Sequence, residues 1–279
     1  MLLLTPVYYP MYSAISQNGR KLVDCPLVRR DNTYDINWED FEAKIREDST
    51  KLFLLCSPHN PCGRVWTREE LTRMADLCNR HGVLVVSDEI HNDLIMPGYT
   101  HTVYATLSPE AEQNCVVLTA PSKTFNLAGL IGSYHVIYNP YLRDRITKAG
   151  KATHYNSMNV LSMHALIAAY SPEGQEWVKE LRQVLNENLE YAVSFIHTHF
   201  KGVNVTKPQG TYMLFLDCTD WCAQHNTDIE SLQKAGIEVG VIWQDGRPFH
   251  GNCHIRMNLA LPHSLVTEAF DRLEKYVFV

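Results

Sequence analysis

The sequence has no long apolar run and no concentration of basic residues. No stretch of its 279 residues approaches the ~20 apolar residues that a membrane-spanning helix needs. Lys and Arg number 25 against 31 Asp and Glu, and they are scattered along the chain. A surface that binds nucleic acid or an anionic membrane needs clustered positive charge. We therefore expect neither nucleic acid nor a membrane among the partners.

Secretion signals and disulfide patterns are also missing. Residues 1–6 lack the basic flank and the length of a signal peptide. Eight cysteines in a chain of this length do not form a dense disulfide framework, and no CxxC pair occurs. We therefore interpret them as reduced thiols and expect a cytoplasmic protein.

Two common classes of ligand site are not supported by the motifs. Neither the GxGxxG pattern of dinucleotide-binding proteins nor a P-loop occurs. His250, Cys253 and His254 are close enough in sequence to suggest a metal site, but no second ligand pair accompanies them. We therefore predict that the protein binds no metal.

The composition is that of a globular protein, and the first half of the chain alternates between two kinds of pattern. Hydrophobic residues make up 45% and charged residues 20% of the chain, which is long enough for one large or two modest domains. Short apolar runs alternate with helical patterns. This alternation is typical of α/β proteins, in which helices sandwich a mostly parallel sheet. We predict that fold class.

One strand-helix unit is especially clear. Residues 51–56 predict a buried strand, which a turn-rich loop follows. Thr67 and Glu70 have the spacing of a capping box, so a helix is expected to begin at Thr67. Gly82 supplies a stop signal for that helix. The next strand is predicted over residues 83–87.

Polar residues follow three of the predicted strands. Asn60 comes after the first strand of the unit and Asp88 directly after the second, while Lys123 follows a strand over residues 115–119. In open parallel sheets, ligands bind beyond the carboxyl ends of the strands. We therefore expect these three side chains to converge on one site.

The pattern changes in the second half of the chain. Ser171-Pro172-Glu173 has the cap, proline and acid of a helix start, and apolar residues then recur at helical spacing to about Phe200. Strands are predicted over residues 212–216, 238–242 and 254–259, followed by a closing helix from Ser264. We place a boundary near residue 171. Residues 1–171 would form a large domain, and residues 172–279 a smaller α+β domain entered through the long helix.

Four short motifs occur in order along the chain. They are Asn60-Pro61-Cys62-Gly63, Ser87-Asp88-Glu89-Ile90-His91, Pro121-Ser122-Lys123-Thr124-Phe125-Asn126 and His254-Ile255-Arg256-Met257-Asn258. Together they resemble the motifs of fold-type I pyridoxal-phosphate (PLP) enzymes, the aspartate aminotransferase superfamily of classes I and II. The closest likeness, through residues 5–10, 88–93 and 122–129, is to the C–S β-lyase branch of cystathionine β-lyases and cystalysin-like enzymes. The resemblance runs from Leu2 to the C-terminus and implies the PLP-dependent transferase-like fold.

The resemblance implies pyridoxal 5'-phosphate as cofactor and gives roles to several residues. Lys123 is the lysine that binds the cofactor covalently, and its amine must lose a proton near neutral pH. Asp88 faces the pyridine nitrogen and keeps it protonated. Asn60 donates to the 3′ oxygen, and Tyr8 stacks on the ring.

Further roles follow from the same resemblance. Arg256 binds the substrate α-carboxylate, for which its planar fork is suited. Tyr9 is a candidate acid–base partner. His91 stands where many relatives carry a tyrosine near the cofactor. Ser122 is a candidate phosphate contact, as is Thr119.

Each of these residues also has an ordinary structural interpretation. Lys123 could be a surface lysine, and Asp88 could cap the segment that follows it. Asn60 could belong to a simple turn. Tyr8 and Tyr9 could be core aromatics, and Arg256 could pair with a structural carboxylate. The sequence leaves these alternatives open.

The chain departs from the family pattern in two places. Many aminotransferases of this fold carry a phosphate-binding arginine where this chain has Ile131. The family also has a segment before the first motif, with a turn at a helix N-terminus that holds the cofactor phosphate. The sequence begins almost at the Tyr8 motif. We therefore expect an N-terminally truncated form of the fold.

The resemblance implies α,β-elimination on an L-cysteine conjugate such as cystathionine, which gives a thiol, pyruvate and ammonia. The same residues would serve an aminotransferase, which is the first alternative. A non-catalytic regulatory protein or an inactive truncated form is the second. Enzymes of this fold act on small amino acids as homodimers, so we expect a homodimer.

Overall fold

A mostly parallel sheet forms the frame of the first half of the chain. The computed structural model describes residues 1–30, 33–155 and 157–279. The strands are β1 (Leu2–Thr5), β2 (Val23–Pro26), β3 (Val28–Arg30), β4 (Thr33–Asp35), β5 (Leu52–Cys56), β6 (Leu84–Asp88), β7 (Cys115–Thr119), β8 (Tyr134–Val136), β9 (Met213–Asp217), β10 (Gln244–Asp245) and β11 (His254–Asn258).

Three sheets are built from these strands. The largest has the order β2-β1-β5-β6-β7-β8, and its neighbours are parallel except for the antiparallel edge pair β7–β8. This sheet confirms the predicted α/β class. The strands β3 and β4 form a hairpin, and β10-β11-β9 form an antiparallel sheet in the second half of the chain.

The helices differ widely in how much they bury. They are α1 (Pro10–Gln17), α2 (Trp38–Arg46), α3 (Arg68–Arg80), α4 (Pro109–Gln113), α5 (Pro140–Ala152), α6 (Val160–Ala169), α7 (Pro172–His199), α8 (Thr219–Gln224), α9 (Ile229–Glu238) and α10 (His263–Tyr276). Helix α3 buries an apolar stripe against the large sheet, whereas α5 has no buried residue. Among the described residues, no helix combines the length and the apolar character needed to cross a membrane.

The clearest predicted unit is confirmed. Thr67 Oγ1 accepts from the backbone N–H of Glu70 at 3.1 Å, and the Glu70 carboxylate accepts from Thr67 N–H at 2.8 Å. The chain leaves α3 through Gly82, whose φ of +63° favours glycine. The indole of Trp66 donates to the Cys56 carbonyl at 2.9 Å, which ties the loop after β5 to the end of that strand. These contacts fix the end of β5 and the turn that leads into β6.

The long helix of the second half is also confirmed. Ser171 Oγ accepts from Gly174 N–H at 3.2 Å and caps α7, which continues to His199. The buried face of α7 packs with β9, β11 and α10 in one apolar cluster, through Leu185, Leu189, Ala192 and Ile196. Whether residues 1–171 and 172–279 are separate domains stays a prediction.

The strand predicted over residues 238–242 is wrong. Asp228 caps α9 by accepting from Ser231 N–H at 2.8 Å, and the helix continues to Glu238. Gly240, with φ of +80°, then turns the chain. The alternation of Val239 and Val241 reflects packing at the end of α9 and does not indicate a strand. The next strand along the chain is the short β10.

Candidate active site

The carboxyl ends of β5, β6 and β7 open onto one cleft of about 260 Å³. The register places Cys56 of β5 beside Asp88 of β6, and Asp88 beside Leu118 of β7. The chain thus brings together most of the residues predicted for the site. Those that line the cleft are Tyr8, Asn60, Asp88, His91, Ser122 and Lys123.

Asp88 contributes a carboxylate to the wall of the cleft. Its Oδ1 accepts from Ile90 N–H at 3.2 Å, the one hydrogen bond to this carboxylate within the described ranges. Burial raises the pKa of Asp88 to about 6; the Ile90 hydrogen bond and the Lys123 charge oppose the rise, and the Glu89 charge adds to it. A cation in the cleft would therefore stabilise the ionised form.

Lys123 lies in the turn that follows β7. It is half-buried, and no carboxylate within the described ranges forms an ion pair with it. The next residue anchors the turn, since Thr124 Oγ1 donates to Asp93 Oδ2 at 2.9 Å. Lys123 therefore presents an unpaired amine on a fixed turn.

His91 is buried and uncharged at neutral pH. Its pKa is lowered to about 3, mainly by burial and to a smaller extent by the charges of Lys123 and Arg256. Its Nδ1 has no hydrogen-bond partner among the described residues, and its ring meets Tyr212 edge to face at 5.8 Å. His91 thus has an unused polar atom at the cleft.

Arg256 lies above the cleft on β11. Its Nη1 donates to Asn60 Oδ1 at 2.9 Å, its Nη2 contacts Gln244 Oε1, and its guanidinium lies 4.7 Å from the centre of the Phe249 ring. Burial lowers the pKa of Arg256. Within the described ranges no carboxylate pairs with it, so the structural ion pair that the sequence left open is not observed.

The two tyrosines at the start of the chain lie in different places. Tyr8 lines the cleft, and burial raises its pKa, with a smaller contribution from Tyr9. Tyr9 is 38% exposed, is not among the residues that line the cleft, and packs edge to face on Phe249 at 5.3 Å. The structure therefore does not bring Tyr9 into the cleft.

Ser122 lines the cleft beside Lys123, and Thr119 is buried at the end of β7. Ile131 also lines the cleft and is 77% exposed, with a positive φ of 53° that is unusual for a β-branched residue. Thr119, unlike Ser122 and Ile131, is not among the residues that line the cleft. The contacts alone do not assign a role to the hydroxyl of Ser122 or of Thr119.

Sequence reasoning missed two residues of the site. Cys56 lines the cleft next to Asp88, and its sulfur accepts from Asn60 N–H at 3.4 Å. Tyr212 was expected only as a strand residue, but it lies against His91. The residue before it, Thr211, has φ of +69°, and this strained backbone directs the chain into β9. No local pattern in the sequence indicates such a conformation.

The cleft fits PLP by the chemistry of its donors. It combines a lysine amine, a carboxylate whose ionised form a cation would stabilise, an amide, and the buried Nδ1 of His91, which has no partner among the described residues. A pyridine ring with a protonatable nitrogen, an aldehyde and polar substituents matches these groups. Among the described residues, no cluster of His, Cys, Asp and Glu is arranged to hold a metal ion.

Known proteins resemble the chain along almost its whole length. The sequence model of the family described as aminotransferase class I and II matches residues 1–273. Cystathionine beta-lyase PatB of Bacillus subtilis (strain 168) is 36% identical over 271 residues, which cover 96% of this chain and 69% of that protein. Protein MalY of Escherichia coli (strain K12) is 36% identical over 269 residues, covering 93% of this chain and 66% of MalY.

A solved structure shows the same similarity in three dimensions. Cystalysin from Treponema denticola, whose crystal structure contains a pyridoxal 5'-phosphate cofactor, superimposes with a TM-score of 0.92 at 34% identity. The superposition covers 98% of this chain and 69% of that one. The chain therefore spans about two thirds of the length of the proteins it matches.

Proposed function

Because this chain belongs to the aminotransferase class I and II family, we propose that it is a PLP-dependent carbon–sulfur β-lyase. It would eliminate a thiol from L-cysteine conjugates such as cystathionine and release pyruvate and ammonia. The observation that carries the proposal is the meeting of Lys123 and Asp88 in one cleft, with Arg256 hydrogen-bonded to Asn60 of the same cleft. The names of the relatives support the choice of a lyase.

Four residues would hold the cofactor. Lys123 would bind it covalently, Asp88 would pair with the ring nitrogen, Asn60 would donate to the 3′ oxygen, and Tyr8 would stack on the ring. When bound, PLP supplies an electron-withdrawing ring that stabilises negative charge at the substrate Cα. Since the pKa of Asp88 is raised to about 6 by burial, a protonated ring nitrogen is the cation that its carboxylate needs.

Lys123 would also move the proton of the reaction. Its amine is unpaired within the described ranges and lies on the turn that the Thr124–Asp93 hydrogen bond fixes. An amine freed at this position can take the proton from the substrate Cα as a general base. The neutral ring of His91 would line the site without competing for that proton.

Arg256 would bind the α-carboxylate of the substrate. Its guanidinium is held by Asn60 and Gln244 through neutral oxygens, so its positive charge is available to an anion. A planar fork binds a carboxylate through two parallel hydrogen bonds, which a lysine cannot do. The arrangement favours substrates with a free α-carboxylate, as small amino acids have.

The proposal is tested by product formation. The chain is incubated with PLP and cystathionine, and pyruvate is measured with Lys123→Ala as the inactive variant and Lys201→Ala, an exposed lysine, as the matched control. Pyruvate from the parent and from Lys201→Ala, but not from Lys123→Ala, supports a lyase. Equal pyruvate from all three proteins would contradict it.

The first alternative, an aminotransferase, would use the same residues. Its need for a second substrate distinguishes it from a lyase. An aminotransferase needs an amino acceptor such as 2-oxoglutarate for turnover, whereas elimination proceeds without one. Turnover that depends on the acceptor and yields no thiol would replace the lyase by an aminotransferase. A chain that takes up no PLP, seen as absence of colour, would instead favour a non-catalytic protein.

We further propose that the chain forms a homodimer in the cytoplasm. Helix α6 is almost entirely apolar, yet Leu161 and Ile167 are 69% and 66% exposed. A face of this kind typically marks an interface. The eight cysteines are free thiols, which supports the cytoplasmic location.

The dimer is tested by light scattering after size-exclusion chromatography. Ile167→Lys would place a charge on the apolar face of α6 and is expected to give monomers. Ile237→Lys is the matched control, since Ile237 is 57% exposed on α9. A parent protein that remains a monomer at every concentration would contradict the proposal.

A further inference from the structure

The guanidinium of Arg256 is held in an unusual way. Arg64, a buried arginine in the loop after β5, contacts the carboxylate of Glu70. Arg256 contacts only the amide oxygens of Asn60 and Gln244 and the face of Phe249 among the described residues. Its fork is therefore oriented, but its charge is not neutralised.

Gln244 holds one side of that fork from the neighbouring strand. It lies directly opposite Arg256 in the antiparallel pair of β10 and β11, and its Oε1 contacts Nη2. A cross-strand pair of this kind places two side chains on the same face of the sheet. The contact is thus set by the register of the two strands.

The acid next to Gln244 is occupied elsewhere. Asp245 accepts from Arg247 Nε through both oxygens, at 3.1 and 2.9 Å, and from its Nη2 at 2.7 Å. Successive side chains of a strand point to opposite faces, so the carboxylate of Asp245 is directed away from Arg256. Of the two residues of β10, only the neutral one meets Arg256.

We propose that Gln244 is a positioning residue that orients the Arg256 fork while leaving its charge free for the substrate carboxylate. This role rests on the proposed function, in which Arg256 binds the substrate carboxylate, and adds Gln244 as a residue that determines this binding. Glutamate has nearly the shape of glutamine but carries a negative charge. A glutamate at residue 244 would pair with Arg256 and take the place of the substrate carboxylate.

Two substitutions separate positioning from a merely structural role. Gln244→Glu is expected to raise the melting temperature, because a buried cation gains a partner, and to weaken carboxylate binding by about tenfold or more. Gln244→Leu removes the acceptor and should weaken carboxylate binding without raising the melting temperature. A residue that only stabilises the fold would change both properties in the same direction.

Binding is measured without relying on turnover. The PLP-loaded chain is titrated calorimetrically with 3-(methylthio)propionate, a carboxylate that has no amine and cannot be eliminated, and each variant is also melted. KM and kcat for cystathionine are then measured for each protein. Gln244→Glu should raise KM far more than it changes kcat. Gln209→Glu is the matched control, because Gln209 accepts from Arg64 at 3.0 Å, outside the cleft.

The outcomes are distinct. The proposal is supported if Gln244→Glu has a higher melting temperature and weaker carboxylate binding than the parent, and if Gln209→Glu binds carboxylate as the parent does. Parent-like binding in Gln244→Glu, a lowered melting temperature in that variant, or a parent protein that binds no carboxylate would overturn it. If the binding differences hold but no protein releases pyruvate, Gln244 keeps its role and the lyase proposal fails.

Discussion

Asp88 and Glu89 are adjacent in sequence, but their carboxylates lie in opposite surroundings. Glu89 is buried and accepts from Ser87 Oγ at 2.9 Å, from Tyr104 N–H at 2.9 Å and from His101 Nε2 at 2.8 Å. Asp88 faces the cleft and, among the described residues, accepts one hydrogen bond, from Ile90 N–H.

The difference follows from the alternation of side chains at the end of β6. The carboxylate of Glu89 points into protein that supplies hydrogen-bond donors, whereas the carboxylate of Asp88 points into a cleft that supplies few. A carboxylate left with few partners in a folded protein is costly, so it is expected where a ligand completes it. The contrast indicates that Glu89 stabilises the fold and supports the proposal that Asp88 serves the site.

The largest effect expected from this contrast is the loss of activity in Asp88→Asn. The amide cannot neutralise a protonated ring nitrogen, so kcat should fall on the order of a hundredfold or more. The melting temperature without PLP should not fall, because an unpaired buried charge is removed. Steady-state kinetics measure the fall in kcat, and thermal denaturation measures the melting temperature. Near-normal kcat would show that Asp88 does not act on the cofactor.

The reverse pattern is expected for Glu89→Gln. The amide cannot accept from three donors as a carboxylate does, and removal of the charge leaves His101 without its partner. Stability should fall by up to about 3 kcal/mol, because buried donors lose their acceptor. Urea denaturation measures the loss, and kcat per folded molecule should change much less than in Asp88→Asn. A larger loss of kcat than of stability would remove the distinction between the two acids.

A pH effect of similar size sharpens the comparison. The pKa of Asp88 is raised to about 6 in the folded chain, so the folded state binds this proton more tightly than the unfolded state. The stability linked to Asp88 is present below about pH 4 and is lost as the pH rises to about 6. The parent should therefore lose up to about 3 kcal/mol relative to Asp88→Asn across that window, at ~1.4 kcal/mol per pH unit.

Denaturation of both proteins between pH 4 and pH 7 checks this prediction. Bound PLP should reduce the difference, since the ring nitrogen supplies the missing cation. His91 has the opposite sign, because its pKa is lowered to about 3. Its contribution is present above about pH 6.5 and is lost as the pH falls. A stability difference between parent and Asp88→Asn that does not depend on pH would contradict the assigned burial.

An exposed acid gives the baseline and the smallest effect. Glu176 pairs with Lys179 at 2.6 Å on the surface of α7, where both side chains are mostly exposed. Glu176→Gln should cost no more than about 0.5 kcal/mol and leave kcat unchanged. The same urea experiment measures it. A cost comparable to that of Glu89→Gln would show that burial does not explain the contrast.

Features that depend on local chemistry were predictable from the sequence. The capping box at Thr67, the cap at Ser171 and the strand over residues 115–119 were placed correctly, because each uses neighbouring residues. The parallel order of strands that end at Asp88 and before Lys123 made their meeting at one edge predictable. The sheet class followed from the same pattern.

Features that depend on distant residues were not predictable. Two partners of Glu89, His101 and Tyr104, lie twelve and fifteen residues away, and Arg256 meets Asn60 across 196 residues. Nothing in the sequence shows that Tyr8 and Tyr9 separate at the cleft. The expected strand over residues 238–242 was wrong because its apolar residues pack at the end of α9, and alternation alone cannot show this.

The start of α7 has a consequence for following the protein in solution. Trp177 stacks on Phe125 with ring centroids 5.3 Å apart and an angle of 23° between planes, and Phe125 is two residues beyond Lys123. This indole is therefore an intrinsic fluorophore one aromatic layer from the lysine turn. A chromophore attached to that lysine whose absorption overlaps the emission of indole would quench Trp177 by energy transfer. The change in emission between the parent and a Trp177→Phe variant, which keeps the other four tryptophans, would then report occupancy of the cleft without any added label.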